Sequence, residues 1–423
     1  ARHDRGGAFM ARNVVIYLVM HQPRRLRLPA LSLTEATSAR EMAERLFDDD
    51  MNAYYVQKVA RTSYRPTLTR LRDLVQNQGL RLGIGISWSL IWQLERWAPD
   101  VLDLLAMLVD EAGVELVGVE PYHSFLPYLD IKRFQRRMTW MSQHIQRRFG
   151  QPVQVTDTTE MMMNQEIYWA LDKLGFRAAF VDGRPQVLKG RPASGVFWGG
   201  GSLRLLVRHV PLSDDVGYRF TDRHWDAYPL MASIYAGWIK NTPDRLVVLG
   251  WDFETFGEHH RVESGIFEFL DHLPRELAQA GVATHTPSEA LDLFEPTERI
   301  DLPVESSTWA GVGDVSFFLG NPVQQHIFRL MHHAYHLAVV SGETELIDLA
   351  LWLLQSDHLH LIQWYGRTGP EAEVSAYFTP KEWWPLGADG IVAQMAQVYH
   401  HYVAKVADRL QERVSLGSVV GDR

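Results

Sequence analysis

The feature that most constrains this chain is a series of short apolar runs, separated by longer segments with helical spacing of apolar residues. Each run has the length of a strand and ends in polar residues. Strands that alternate with helices form βαβ units, which build a parallel sheet. The predicted strands are Val14–Met20, Leu82–Ile86, Val114–Val119, Val153–Val155, Ala178–Val181, Leu203–Val207 and Leu246–Leu249.

Seven such strands, with polar residues gathered at one end, predict an α/β fold with a distorted (β/α)7 barrel. An open doubly wound sheet is the main alternative, although no Gly-x-Gly-x-x-Gly follows a strand and no P-loop is present. We place the catalytic barrel at residues 10–290. Residues 291–414 have helical spacing and predict a C-terminal α-helical domain that completes the active-site cleft, with tails at 1–9 and 415–423.

Composition excludes several classes of protein. The 423 residues are enough for a barrel and an accessory domain. A net charge of −9 argues against nucleic acid or an anionic membrane as the main partner. The chain has no cysteine, which excludes disulfides and thiolate metal sites. No apolar run approaches the ~20 residues of a membrane span, no secretory signal precedes Met10, and we expect a cytoplasmic location.

Two carboxylates, Glu160 and Asp252, open the segments that follow predicted strands. Barrel enzymes place their chemistry at the carboxyl ends of parallel strands, and a pair of carboxylates can cleave a glycosidic bond. Glu160 alone is also compatible with a plain helix N-terminus capped by Thr158 or Thr159. The Asp252 segment interleaves acids with Trp and Phe, which is unusual for a solvated loop. We therefore hypothesise a glycosidase.

Histidines near the strand ends raise the alternative of a metal site, as in a metal-dependent sugar deacetylase. No His-x-x-x-His or His-Glu-x-x-His spacing occurs at these positions, so neither a metal nor a cofactor is predicted. Neutral imidazoles that bind sugar hydroxyls fit the surroundings better. The histidines concerned are His21, His123, His259, His260, His358 and His360.

Five motifs follow one another along the chain: His21-Gln22-Pro23, Glu120-Pro-Tyr122-His123, Thr159-Glu160-Met-Met-Met-Asn164, Asp252 through His259, and Gln355-Ser356-Asp357-His358. They resemble the motifs of glycoside hydrolase family 57, in particular its α-amylase branch. The resemblance spans about residues 12 to 412, and a departure at Thr308-Trp-Ala-Gly-Val-Gly-Asp314 concerns a C-terminal substrate contact.

The resemblance implies that Glu160 is the nucleophile and Asp252 the acid/base of a retaining enzyme. Its expected substrate is an α-1,4-linked glucan such as starch, glycogen or a maltooligosaccharide. A retaining pair of carboxyl groups lies ~5–5.5 Å apart. The predicted substrate-binding residues are His21, Glu120, His123, Trp251, Glu254, His259, Asp357 and His360.

Two other functions remain open on the sequence. A 4-α-glucanotransferase or branching enzyme would use the same carboxylates, with a sugar hydroxyl in place of water as the acceptor. A non-catalytic glucan-binding protein of the same fold would lack the chemistry. The presence of both Glu160 and Asp252 argues against that last possibility.

Overall fold

A computed structural model describes residues 12–296 and 298–420. Within these residues the chain divides into two compact units. The barrel unit comprises the residues up to Gln22, Tyr55–Pro121 and Lys132–Trp309, and the helical unit comprises Pro23–Tyr54, Tyr122–Ile131 and the residues from Ala310 onward. The tail predicted at 1–9 lies outside the described part, as do Met10, Ala11 and the last three residues. The boundary predicted at residue 290 stays a prediction.

The strands of the barrel unit coincide with the apolar runs of the sequence, because residues buried on both faces make near-continuous apolar strands. Two short strands, β6 and β9, were not predicted. The strands are β1 (Asn13–Met20), β2 (Leu82–Ile86), β3 (Val114–Val117), β4 (Val155–Thr156), β5 (Ala178–Asp182), β6 (Gly195–Trp198), β7 (Arg204–Arg208), β8 (Val247–Asp252) and β9 (Ala283–His285).

The strands form two sheets that are mostly parallel. In the first, β1 is central and pairs with β2 and β8, β3 follows β2, and the short β9 pairs with the start of β1. In the second, β4, β5 and β7 are parallel, and β6 is antiparallel to β7.

Two links join these sheets into one curled sheet. A bridge between Gly118 and Thr156 connects the end of β3 to β4. On the other side, His209 follows β7 and donates its backbone N–H to the carbonyl oxygen of Val248 in β8 at 2.7 Å. The parallel strands therefore follow the order β8, β1, β2, β3, β4, β5, β7. This arrangement confirms the predicted distorted (β/α)7 barrel.

Helices flank the strands of the barrel unit and make up the helical unit. The helix α19 continues to Val420, beyond the end predicted at residue 414. The helices are α1 (Ala39–Leu46), α2 (Asp49–Val59), α3 (Arg65–Gln78), α4 (Trp88–Trp97), α5 (Pro99–Val109), α6 (Leu126–Leu129), α7 (Ile131–Phe149), α8 (Gln165–Asp172), α9 (Pro185–Leu188), α10 (Val210–Gly217), α11 (Ala232–Lys240), α12 (Ile266–Gln279), α13 (Pro287–Leu293), α14 (Ser316–Leu319), α15 (Pro322–Ser341), α16 (Thr344–Leu353), α17 (Asp357–His360), α18 (Pro370–Phe378) and α19 (Gly387–Val420).

The helical unit is organised around α15, which packs against α16 and α19. Its first turn is closed by a capping box, in which the side chains of Asn321 and Gln324 each accept the backbone N–H of the other. The Asn321 amide also donates to the carbonyl oxygens of Ile362 and Gln363, both at 3.2 Å. The cap of α15 thereby fixes the segment that follows α17. Among the described residues, no helix is long and apolar enough to cross a membrane.

Candidate active site

The predicted site residues of the barrel unit lie after the carboxyl ends of parallel strands. His21 follows β1, Glu120 follows β3, Glu160 follows β4, and Asp252 is the last residue of β8. In the pairing of β1 with β8, Asp252 lies opposite Val19, so both strands end at the same edge of the sheet. This edge is where barrel enzymes assemble their sites.

Glu160 and Asp252 both act electrostatically on the phenol of Tyr218. Desolvation of its hydroxyl and the negative charges of Asp214, Asp252 and Glu160 raise the pKa of Tyr218. Both carboxylates therefore lie within electrostatic reach of one side chain, although they are 92 positions apart in the sequence (252 − 160). Each is half-buried.

Glu160 occupies a strained backbone conformation. It lies in a 3₁₀ turn, Thr159–Met161, with φ 51° and ψ 36°. Met161 also has a positive φ, of 50°. Non-glycine residues in this left-handed region cost about 1–3 kcal/mol and persist only where the surroundings hold them. Such outliers cluster at functional sites.

Three contacts from one distant segment hold Glu160 in this conformation. Its carbonyl oxygen accepts the Thr308 hydroxyl at 2.6 Å and the Trp309 backbone N–H at 3.3 Å. Its side-chain Oε2 accepts the indole Nε1–H of Trp309 at 2.5 Å. The contacts fix both the backbone and the side chain of Glu160. A donor aimed at a carboxylate oxygen also stabilises its negative charge.

A buried cation lies beneath Trp309. The guanidinium of Arg208 is 5.4 Å from the centre of the Trp309 ring, a cation–π geometry. It forms ion pairs with Asp182 at 3.0 Å and Asp214 at 3.2 Å. Burial disfavours the charged guanidinium, but these two carboxylates outweigh it and raise the pKa of Arg208. Arg208 therefore stays charged and supports the indole that contacts Glu160.

The segment after β8 is held by hydrogen bonds within the loop and by side chains about 200 positions earlier in the sequence. The backbone N–H groups of Glu258 and His259 both donate to the carbonyl oxygen of Glu254, at 3.2 and 2.8 Å. The Glu258 carboxylate accepts Lys58 Nζ and the Thr62 hydroxyl, both at 2.6 Å. His259, a predicted substrate contact, is half-buried in this segment.

Trp251 does not present its ring toward the strand end that carries Asp252. Successive side chains of a strand point to opposite faces, and Trp251 is 2% exposed in the hydrophobic core. Its indole N–H donates to the carbonyl oxygen of Ser213 at 2.7 Å. These contacts of Trp251 are structural, and its contact with substrate stays a prediction.

Glu254 is also buried, at 3% exposed. Its Oε1 accepts the hydroxyl of Tyr64 and the backbone N–H of His21, the latter at 3.2 Å. Burial raises the pKa of Glu254 to about 7, against the opposing effect of its hydrogen bonds. The His21 ring in turn is 2.8 Å from the Ser87 hydroxyl. Glu254 thus contacts the backbone of His21, and its predicted contact with substrate stays a prediction.

Three predicted substrate contacts lie in the helical unit. His123 is buried, and its backbone carbonyl accepts the N–H of Ser356 at 2.8 Å. Asp357 and His360 are half-buried at the two ends of α17. The Ser375 hydroxyl donates to the His360 carbonyl oxygen at 2.6 Å. Their roles toward a substrate stay predictions, as does that of the fully buried Glu120.

Sequence reasoning missed the residues that support the two carboxylates. Arg208 and Asp182 each end a strand, which is the available signal, but nothing local indicates that they pair. Trp309 stood in a motif that was noted only for a C-terminal contact. Among the residues that the structure describes, no three His, Asp or Glu side chains are grouped closely enough to hold a metal ion.

The fold is an α/β barrel with a pair of carboxylates at its strand ends, an arrangement typical of glycoside hydrolases. Residues 15–303 match the family model described as glycosyl hydrolase family 57. The chain belongs to this family. This result confirms the family resemblance inferred from the motifs.

One relative and three solved structures illustrate the similarity. A protein of Methanocaldococcus jannaschii described as "Putative alpha-amylase" is 32% identical over 314 residues, which cover 73% of this chain and 66% of that protein, just under two thirds. A GH57-type branching enzyme of Pyrococcus horikoshii has a TM-score of 0.63 at 16% identity, covering 93% of this chain and 95% of its own.

The other two structures are similar in the same way. A 4-alpha-glucanotransferase of Thermococcus litoralis has a TM-score of 0.63 at 16% identity, over 84% of this chain and 59% of its own. The alpha-amylase AmyC of Thermotoga maritima has a TM-score of 0.55 at 12% identity, over 94% of both chains. At these identities the structures show a shared fold.

Proposed function

We propose that this protein is a retaining glycoside hydrolase that cleaves α-1,4-glucosidic bonds of starch, glycogen or maltooligosaccharides. The observation that carries the proposal is the strained Glu160, held by Trp309 and Thr308 at the strand edge where Asp252 ends β8. The names of the relatives, which include an α-amylase and α-glucan transferases, support an α-glucan as substrate.

The proposed chemistry is a double displacement. The protonated carboxyl of Asp252 donates its proton to the glycosidic oxygen while a Glu160 carboxylate oxygen attacks C1. The bond from C1 to the leaving oxygen breaks as the bond to Glu160 forms. Asp252, now ionised, removes a proton from water, whose oxygen displaces Glu160 from C1 and restores the starting enzyme. The mechanism requires carboxyl groups about 5–5.5 Å apart.

The first test follows the products from maltoheptaose by chromatography and the anomeric form of the first product by NMR. We expect shorter maltooligosaccharides released in the α configuration. A ladder that extends above seven sugars would indicate transfer to a sugar hydroxyl. Initial release of the β anomer would contradict a retaining mechanism, and binding without any turnover would favour a non-catalytic protein.

Single substitutions test the two assigned roles. Glu160→Gln should lower kcat by more than about 10³-fold while substrate binding is retained, because only the nucleophile is lost. Asp252→Asn should be partly rescued on an aryl glycoside whose leaving group needs no proton. Glu263→Gln is the control with the same chemical change, since this exposed glutamate lies in the segment after β8 and should leave kcat unchanged. Full activity in the Glu160→Gln protein would overturn the assignment.

A further inference from the structure

A buried carboxyl group lies three positions before Glu160. Asp157 follows β4 and is 2% exposed. Its Oδ1 accepts the backbone N–H of Thr158 at 2.7 Å, and its Oδ2 accepts the hydroxyl of Tyr17, also at 2.7 Å. Its own backbone N–H donates to the carbonyl oxygen of Gly118 at 2.7 Å. Asp157 is therefore tied at its backbone and at both carboxyl oxygens.

Tyr17 reaches Asp157 from the centre of β1, 140 positions away in the sequence. Its fully buried ring is stacked on Phe180 of β5, with centroids 4.2 Å apart and an angle of 9° between the planes. At Gly85 in β2, a Cβ atom would lie 2.6 Å from the Tyr17 hydroxyl. A glycine at this position thus leaves the room that the hydroxyl needs. The hydrogen bond crosses from the first sheet to the start of the Glu160 segment.

Few groups around Asp157 stabilise a negative charge on its carboxyl group. Burial raises the pKa of Asp157 to about 7, helped by the charge of Glu160 and opposed by the bonds from Tyr17 and Thr158. Burial raises the pKa of the Tyr17 hydroxyl, and the negative charges of Asp157 and Asp252 raise it further. The neighbouring Gly118, which follows β3, and Phe180 of β5 carry no titratable group. Within the described residues, no Lys or Arg forms an ion pair with Asp157.

The strained turn of Glu160 therefore has two anchors. Thr308 and Trp309 hold it directly, and the bond from Tyr17 to Asp157 holds the chain that enters it. We propose that Tyr17 and Asp157 are positioning residues for the nucleophile: their hydrogen bond ties the Glu160 segment to β1 and keeps its carboxylate aligned for attack. This inference rests on the proposed function, because it assigns the two residues to that reaction.

Kinetics of three variants test the role of the hydrogen bond. Tyr17→Phe removes only the hydroxyl and should lower kcat about tenfold, with KM within about twofold, because alignment is lost but no sugar contact is. In Asp157→Asn, the side-chain carbonyl oxygen can still accept the Thr158 N–H. The side-chain N–H can donate to the hydroxyl oxygen of Tyr17. We expect the kcat of this variant within about threefold of the native value, well above that of Asp157→Ala. Equal losses in the Asn and Ala variants would overturn the proposal.

Hydrogen exchange gives a readout that needs no substrate. Tyr17→Phe should speed exchange of the amides from Thr158 to Met162, because the entering chain loses its anchor. Tyr399→Phe is the matched control, since this buried tyrosine also donates its hydroxyl, to Leu353 at 2.6 Å. It should change neither that exchange nor kcat. Native exchange and native kcat in Tyr17→Phe would overturn the proposal.

The two readouts separate this proposal from the proposed function. A native protein that cleaves no α-glucan, with faster exchange in Tyr17→Phe, would refute the function and leave the anchor in place. An active native protein whose Tyr17→Phe variant is equally active and equally protected would refute the anchor alone. Should Tyr17→Phe fail to fold, the contrast between Asp157→Asn and Asp157→Ala decides the question by kcat and exchange together.

Discussion

The segments that carry Glu160 and Asp252 differ in how the chain holds them. Asp252 ends a regular strand with ordinary backbone angles, and the loop after it combines internal hydrogen bonds with bonds to Lys58, Thr62 and Tyr64. Glu160 lies in a left-handed conformation, held by residues about 150 positions later in the sequence. Asp252 is thus placed by an unstrained strand, whereas Glu160 depends on tertiary contacts to hold a strained turn.

The difference has a consequence for robustness. A loop with several local hydrogen bonds can lose one and keep its shape. A strained residue stores about 1–3 kcal/mol that its anchors must offset continuously. We therefore expect conservative changes around Glu160 to affect turnover more than equivalent changes around Asp252.

The largest expected effect comes from the two indoles that flank the carboxylates. Trp309→Phe removes the N–H that Glu160 Oε2 accepts and should lower kcat by about 10²-fold, because the nucleophile loses a contact that positions it for attack. Trp251→Phe removes the N–H that the Ser213 carbonyl accepts. It should lower the free energy of unfolding by about 1–3 kcal/mol and change kcat less.

Steady-state kinetics and denaturant unfolding of both variants provide the measurement. The comparison fails if Trp251→Phe loses as much kcat as Trp309→Phe at full folding. It is sharpened if an activated substrate does not restore the activity of Trp309→Phe, since a misplaced nucleophile is not corrected by a better leaving group.

The same comparison shows what the sequence could predict. The apolar runs predicted the barrel strands, and the polar residues at their ends indicated Glu160 and Asp252. The contact between Trp309 and Glu160 joins positions 149 apart, and no local pattern encodes such a pairing. The side chain of Trp251 lies on the opposite face of β8 from that of Asp252, because side chains alternate along a strand. No helix separates β6 from β7, so β6 does not fit the βαβ pattern on which the strand prediction rests.

The buried acids were hidden for a related reason. Glu254 reads as a loop residue beside Asp252, and only the fold brings Tyr64 and the N–H of His21 to its carboxylate. Asp157 reads as a turn residue until Tyr17 is known to cross from β1. Burial and its effect on pKa are properties of the folded state, so neither could be predicted for these two acids from the sequence.

The second prediction uses the pH dependence of stability. The folded-state pKa of Glu254 is about 7 against an ordinary value of 4.5, so the folded protein holds a proton that the unfolded chain releases. Its contribution is fully present below about pH 4.5 and is lost as the pH rises through about 7. Between these limits, the stability of the native protein relative to Glu254→Gln should fall by about 2–3 kcal/mol.

Denaturant unfolding of the two proteins at pH 5, 6, 7 and 8 gives this difference directly. The stability of the native protein relative to Asp157→Asn should fall over the same pH range, because burial raises the pKa of Asp157 to about 7 as well. A difference between native and Glu254→Gln proteins that does not change with pH would show that Glu254 is not held protonated. The two loops would then differ in their buried acids as well as in their anchors.

The smallest expected effect comes from a matched pair of threonines, one beside each segment. Thr308→Val removes the hydroxyl that holds the Glu160 carbonyl oxygen and should lower kcat about tenfold, because a small displacement of a reacting group is costly. Thr62→Val removes the hydroxyl that Glu258 accepts in the loop after Asp252. Its kcat should stay within about twofold of the native value, because Lys58 still binds Glu258 and the local backbone bonds remain.

Initial rates on maltoheptaose, with melting temperatures as a check on folding, compare these two proteins. If Thr62→Val loses as much activity as Thr308→Val, the loop after β8 is no more tolerant than the strained turn after β4.

If Thr308→Val alone is impaired, the double variant Thr308→Val with Tyr17→Phe distinguishes independent anchors from a shared one. Multiplying losses mean two separate anchors, whereas a double variant no slower than the worse single variant means that both act through one displacement of Glu160.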